Sequence, residues 1–595
     1  MRRSAPGSLI SRLGAFASVV LILLTGCRTG APEPPPLSAT AAEATTPTLQ
    51  PPVTERSAQM VRSEHGAVAA ASVWAAEAGA KVLAEGGNAA DAAVAAAWAL
   101  AVTEPSMSGV GGRSSIVIRT PDGAVTGIDG LNQVPASYRE GVAPDGYDRA
   151  AIPGVPAALE RLRADHGSWS MDRLLEPAIR WAHEGFVLPE PEADRFSGAA
   201  EDLLNFSSAS ARGGYLQADG SPWPAGTVFR QPELARTLRA MADEGVEVFY
   251  RGWVADSIDA DMRRVGGFIA REELAAYEAL PALTVEGRYR GHTILSNFRP
   301  ASGHAVIQAL QTLEAATPDG APATEARWAG LLGQAMGQAI GERGRVVEDD
   351  EAASARLLTS LEHAQLRASE LDLLEAMDVG GRGALRSEPP LLWLDGSGGV
   401  WDPGDLITDP GDRESTTHLT VVDASGMIVS LTQSLGPSMG ARVVAPGLGF
   451  VYATRLGSEP GSRPGSTIAP TVVLRPDGSL LAGLGGAGDA RIISSVIQVV
   501  SRMIDHGLPL DAALAAPRIH PDGEGELRFE EGSVGAWSPA ARRALEGAGF
   551  TLVPTPSGYF GRVHAVGWDP VRNEAFGVAE PRWNGAAVAP ASRAR

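Results

Sequence analysis

The chain has 595 residues, 44% hydrophobic and 20% charged, which allows a large buried core and excludes a wholly disordered chain. Seventy acidic against fifty basic residues give a net charge of −20, a surface that repels polyanions and excludes a nucleic-acid partner. The single cysteine, Cys27, excludes internal disulfides and multi-cysteine metal sites, and the ten histidines never stand in HxH or HExxH spacing, so no metal is expected.

Arg2, Arg3 and Arg12 form a basic start, followed by a 12-residue apolar run, Leu13–Leu24. That run is short of the roughly 20 residues needed to span a bilayer but suits a signal sequence. Leu24-Thr25-Gly26-Cys27 then resembles the bacterial lipobox, whose cysteine is lipidated and becomes the mature N-terminus. Residues 1–26 are therefore expected to be a lipoprotein signal peptide and Cys27 the lipidation site. The expected location is a bacterial cell envelope, facing the periplasm, with the membrane as a partner through the lipid anchor. Loss of residues 1–26 removes three arginines and no acids, taking the charge from −20 to −23. Residues 27–57, rich in Pro, Thr and Ala, read as a tether.

From Gly66 the pattern is mixed α and β. GAVAAAS, 66–72, reads as a short strand; Trp74–Ala84 has helical spacing stopped by Gly86-Gly87. Asn88–Ala101 is a small-residue helix with Asn88 or Asp91 near its start, and alanine on several faces predicts close packing against a sheet. SSIVIRTPDGAVTGIDG, 114–130, reads as two strands around a Pro-Asp-Gly turn. The stretch 153–275 is largely helical, most clearly at Pro156–His166, Met171–Glu184 and Gln231–Glu244. Gly, Asp and Pro dominate 388–415, a long exposed loop. Strand patterns return at His418–Asp423 and Met427–Thr432, joined through Ala424-Ser425-Gly426.

Ser415-Thr416-Thr417-His418 ends that loop. Taken alone, a hydroxyl residue there caps a strand. It acquires chemistry if the chain is cut before Thr416: a threonine hydroxyl is a weak nucleophile, but an N-terminal threonine carries its own α-amine as an adjacent base. Around this junction run GAVAAASVWAAEAGAKVLAEGGNAADAAVAAAWALAVTEPSMSGVGG, AIPGVPAALERLRADHGSWSMDRLLEPAIRWAHEGF, ELARTLRAMADEGVEVFYRG, TTHLTVVDASGMIVSLTQSLG, RPGSTIAPTVV and GAGDARIISSVIQVV. These blocks, collinear from about Gly66 to about Val578, resemble the γ-glutamyltransferase (γ-glutamyltranspeptidase) family of N-terminal-nucleophile hydrolases.

The resemblance implies an α+β fold, a four-layer αββα sandwich, made as a precursor that cuts itself into two subunits. Those would be a large subunit, 58–415, and a small catalytic subunit, 416–595, each the other's partner, with cleavage between Ser415 and Thr416. It implies Thr416 as nucleophile and Ser434 as the hydroxyl that positions it. The amides of Gly488 and Asp489 would form the oxyanion hole, and Ser466 and Thr467 would bind the substrate's α-carboxylate. No cofactor is implied. The glutamyl clamp departs from the family pattern. The arginine of D-x-R-x-x-x-P aligns with Leu131 in DGLNQVP, an asparagine aligns with Gly436, and the acidic pair of NNEMDDF aligns with Gly457-Ser458. Asn132 and Arg113 are nearby substitutes for the lost arginine, and Arg455, in the same block, is a candidate new anchor for a carboxylate-bearing acyl group.

Two other patterns compete. Gly483-Leu484-Gly485-Gly486-Ala487-Gly488 fits GxGxxG, but the acid at dinucleotide-binding distance, Asp505, closes the helix Ile492–Ile504, so oxyanion binding is the better reading. His418, beside Thr416, reads as a structural histidine rather than a catalytic base. The expected function is a self-processing γ-glutamyltransferase-like enzyme acting on amide bonds of a small molecule or peptide, as in glutathione, through an acyl-threonine. An amidase or acylase with a non-glutamyl acyl group is the alternative favoured by the altered clamp. An inactive envelope scaffold is the alternative of another class, against which the retention of Thr416, Ser434 and the glycine-rich stretch argues.

Overall fold

The computed structural model describes residues 60–590 except 209–211, 213, 323, 346–349, 373–415, 524, 533 and 535. The signal peptide, Cys27, the tether, the loop 388–415 and Ser415 lie outside the described residues.

Two seven-stranded antiparallel sheets form the middle of the fold. Strands are numbered here as β1 Met60–Ser63, β2 Gly66–Ala70, β3 Arg113–Arg119, β4 Val125–Gly130, β5 Leu280–Ala282, β6 Thr284–Tyr289 and β7 His292–Asn297. After residue 416 come β8 Thr417–Asp423, β9 Ile428–Ser434, β10 Thr471–Leu474, β11 Leu480–Ala487, β12 Arg562–Asp569, β13 Glu574–Val578 and β14 Ala586–Val588. One sheet has the order β14-β2-β8-β9-β3-β4-β5 and the other β1-β13-β12-β11-β10-β7-β6.

The alternation of β8 and β9 sets which face meets which layer. Leu419, Val421, Val429 and Leu431 join the core under the helices on the outer face, whereas Val422 and Ile428 join Val117, Val472 and Val566 between the sheets. The hairpin turns on Asp423, whose carboxylate accepts from the Ser425 N–H at 2.8 Å and the Met427 N–H at 3.2 Å.

Helices α1 Val73–Ala84 and α2 Ala89–Thr103 cover the first sheet. Asn88 caps α2 in a reciprocal box with Asp91, and all 15 residues of the helix are buried. A helix apolar on every face belongs in an interior, and alanine lets it lie close to the strands. Asp423 accepts from the Ala89 N–H at 2.8 Å and Gln433 donates to the Ala97 carbonyl at 2.9 Å, fixing α2 over the β8–β9 hairpin. The second sheet is covered by α3 Gly303–Ala316 and α5 Ala490–Asp505, and α4 Glu325–Glu342 packs against these two helices. The expected αββα layering is the observed one. No helix among the described residues is long and apolar enough to cross a membrane.

Candidate active site

Thr416 stands immediately before β8 and is 5% exposed. The β8–β9 ladder pairs Thr417 with Gln433, so the next rung sets Thr416 opposite Ser434. Across that rung the Thr416 Oγ1 donates to the Ser434 Oγ at 2.9 Å. Ser434 in turn accepts from the Gly436 N–H at 3.0 Å. Register alone brings the two hydroxyls together.

The glycine-rich stretch reaches this pair from the other sheet. A Cβ on Gly483 would approach Thr420, and one on Gly485 would lie 2.3 Å from His418 Cε1. Two residues on, in the same sense, the end of β11 comes level with Thr416. There Gly488 has φ +126° and Asp489 φ +52°, ψ −132°. The second is a glycine region that a side chain enters at a cost of about 1–3 kcal/mol. This turn opens the 16-residue helix α5 and so lies at the positive end of a helix dipole. Amides so placed can stabilise a developing oxyanion. Most of the GxGxxG glycines have a different purpose: they lie inside β11, and Gly483 and Gly485 allow the two sheets to touch.

His418 is fully buried, its Nδ1 2.8 Å from Thr432 Oγ1 and its Nε2 2.8 Å from Thr420 Oγ1. Burial, reinforced by His564, holds its pKa well below the ordinary histidine value, so the ring is neutral. With both nitrogens engaged, it serves as an inter-sheet strut.

Beside the Thr416–Ser434 pair is a cleft lined by Arg113, Leu131, Asn132, Val134, Arg455 and Pro464, among others. Loops on both sides of residue 416 frame it, through bridges Gln133–Ile152 and Ala150–Thr454. Arg455 lies in its wall with its donors committed. They meet the Asp148 carboxylate at 3.2 Å, the Asp148 carbonyl at 3.0 Å, the Gly457 carbonyl at 2.7 Å and the Tyr138 hydroxyl. Its charge is matched by Asp148 and its face lies over the Tyr138 ring. Ser458, at the position of the family's amine-binding acid, is exposed. Ser466 is held through its backbone, its N–H donating to the Pro300 carbonyl and its carbonyl accepting from Ser302 Oγ, both at 2.7 Å. The Thr467 hydroxyl donates to Asp489 Oδ1 at 3.0 Å.

Thr416 and Ser434 are thus joined directly, Thr467 is attached to Asp489, and Arg455 stands in the cleft wall. Arg113 has a larger part than its sequence position suggests: it is buried and reaches Ser434 Oγ at 3.5 Å. The sequence signal was an arginine at the head of the strand Arg113–Arg119, directly after Gly111-Gly112.

Residues 75–590 match the model of the family described as gamma-glutamyltranspeptidase. The chain belongs to the gamma-glutamyltranspeptidase family. Among curated relatives, the glutathione hydrolase proenzyme of Escherichia coli (strain K12) is 29% identical over 563 residues, covering 88% of this chain and 91% of the relative. The acylase ACY 1 proenzyme of Pseudomonas sp. (strain V22) is 30% identical over 525 residues, covering 83% and 88% respectively. Among solved structures, the cephalosporin acylase from Bacillus halodurans superposes with a TM-score of 0.76 at 26% identity, covering 92% of this chain and 99% of that one. Hydrolases and acylases made as proenzymes therefore both stand close to this gamma-glutamyltranspeptidase family member.

Proposed function

We propose that this family member is a self-processing amidohydrolase or acyltransferase that works through Thr416 as an N-terminal nucleophile. The observation that carries the reading is the buried Thr416–Ser434 hydroxyl pair at the head of β8. Cleavage between Ser415 and Thr416 would free the α-amine of Thr416. The Thr416 Oγ then attacks an amide carbonyl carbon and its proton passes to that amine. The Gly488 and Asp489 amides hold the oxyanion. Collapse breaks the carbon–nitrogen bond, the amine returns the proton to the leaving nitrogen, and an acyl ester remains on Thr416. Water or an acceptor amine then attacks the ester carbonyl and releases Oγ. Ser434 keeps the Thr416 hydroxyl aimed.

For the acyl donor, the glutathione hydrolase relatives support a γ-glutamyl group. The acylase relatives, together with Leu131, Gly436 and exposed Ser458, support a different acyl group, and we favour the acylase reading on those residues. The large and small subunits would be 58–415 and 416–595, and Cys27 would carry a lipid anchor in the cell envelope.

The test is denaturing electrophoresis of the purified full chain with N-terminal sequencing of the smaller fragment. A fragment starting Thr-Thr-His-Leu, absent from Thr416→Ala, is expected. A single uncleaved band would refute the mechanism. In the same preparation the protein should enter the detergent phase on partition, and Cys27→Ser should stay aqueous; equal partition of the two would remove the anchor.

A further inference from the structure

Arg113 opens β3 beside the cleft with only 4% of its surface exposed. A buried guanidinium is costly unless a counter-charge meets it. Among the described residues its contacts are all neutral: Asn132 Oδ1 at 3.2 Å, the Thr454 carbonyl at 3.0 Å and Ser434 Oγ at 3.5 Å. Its Nε has no partner among them. Burial lowers its pKa to about 10 and Asp489 opposes that shift, so it is a cation at neutral pH. Asp489, the acid whose field reaches it, accepts the Thr467 hydroxyl.

Three positions remote in sequence meet at this side chain. The β3–β4 ladder pairs Ser114 with Gly130, so the next rung sets Arg113 beside Leu131. A Cβ on Gly436 would lie 3.2 Å from Arg113 Nη2 and 3.3 Å from Thr454 Cβ, so a longer side chain there would collide with the guanidinium. The family's arginine is missing at 131, its asparagine is missing at 436, and the Arg113 side chain occupies the space between. The remaining wall is largely apolar, with Leu131, Val134, Leu456 and Pro464, and no carboxylate lines it. Arg455 is already matched by Asp148. The cleft therefore offers one guanidinium that no carboxylate touches, with Asp489 acting on it only through its field, and no acid in its lining to receive an ammonium group.

We propose that Arg113 is the carboxylate anchor of the acyl pocket, moved one strand over from the family position. It selects an acyl group that ends in a carboxylate and lacks an α-ammonium, that is, a mono-amide of a short dicarboxylic acid. The proposal rests on the acyl-threonine reading above and narrows its donor.

The test compares three p-nitroanilides with the processed full chain: glutaryl, which has the carboxylate alone; γ-glutamyl, which adds the α-amine; and valeryl, of the same length without charge. Glutaryl is expected to have the highest kcat/KM. Arg113→Met should lower that value about 30-fold or more, mainly through KM, because the anchor lies away from the reacting carbonyl. The ratio of glutaryl to valeryl kcat/KM should fall about tenfold or more in Arg113→Met, and Arg113→Lys should restore part of the glutaryl preference. Wild-type preference for γ-glutamyl, equal use of valeryl and glutaryl, or an equal loss on both in Arg113→Met would overturn the proposal. The first two outcomes need no variant to fold. Intact mass of the small fragment separates the levels. An acyl adduct without charge preference defeats only the anchor, whereas no adduct from any of the three removes the acyl-threonine reading and the anchor with it.

Discussion

At Asp489 an acid occupies a backbone geometry suited to glycine, φ +52°, ψ −132°. The proposed acyl transfer needs the amide of this residue and no chemistry from its carboxylate, so its side chain should matter little for rate and be expensive for stability. Asp489→Gly is expected to keep kcat within about tenfold, because the N–H donor remains. It should exceed Asp489→Ala in stability by about 1–2 kcal/mol: both lose the Thr467 hydrogen bond, but only glycine relieves the strain. Chemical denaturation of the two variants checks the order. Residue roles were unevenly legible in the sequence. Thr416 and Ser434 could be placed because their block resembles the family's, and the strand register then sets them on one rung. Arg113 could be named as a nearby substitute but not weighed, because its role depends on the removal of bulk at Leu131 and Gly436, which only the folded chain brings together.

The glycines of β11 belong to the scale of elements. A Cβ at Gly485 would lie 2.3 Å from a ring atom of His418, which hydrogen bonds to Thr420 and Thr432 hold in place. A Cβ at Gly483 would meet Ile428 Cδ1 at the same 2.3 Å, the free end of a side chain that can turn. Gly485→Ala should therefore cost more than Gly483→Ala, by about 1–3 kcal/mol, measured as a difference in unfolding free energy. A sequence motif could not separate these uses of glycine, since a strand that must touch another sheet and a loop that must present amides both favour it. The end of α2 gives a second prediction. Burial and the neighbouring Glu192 raise the pKa of Glu104 to about 7, against the pull of Arg562 and Arg195. An acid whose folded pKa is raised gives stability that is full below its unfolded value and lost as pH rises through the folded one. Glu104→Gln, neutral at every pH, should gain in Tm over the parent between pH 5 and pH 8, by a few degrees. A constant Tm difference would contradict it.

For the whole molecule, the consequence of processing follows from topology. Seven of the fourteen sandwich strands precede residue 416 and seven follow it, and each sheet contains both kinds. Cutting before Thr416 therefore separates no layer, and the fragments share one hydrophobic interior. The part after the cut has its own internal tie: Arg518, Glu530, Glu580 and Arg582 are almost wholly buried and joined by ion pairs at 2.7–2.9 Å. These charges are spread over 65 residues, and nothing local in the sequence marked them as a group. The layer order, by contrast, was legible from the resemblance of long collinear blocks, and most strands and helices from periodicity.

The central claim is that Thr416 carries the acyl group, and the most direct measurement is the intact mass of the small fragment after brief mixing with a p-nitroanilide substrate. The account predicts an added mass equal to the acyl group, mapped to the N-terminal residue by peptide sequencing and decaying as product is released. Substrate turnover with no adduct on Thr416, or an adduct on another residue, would contradict it.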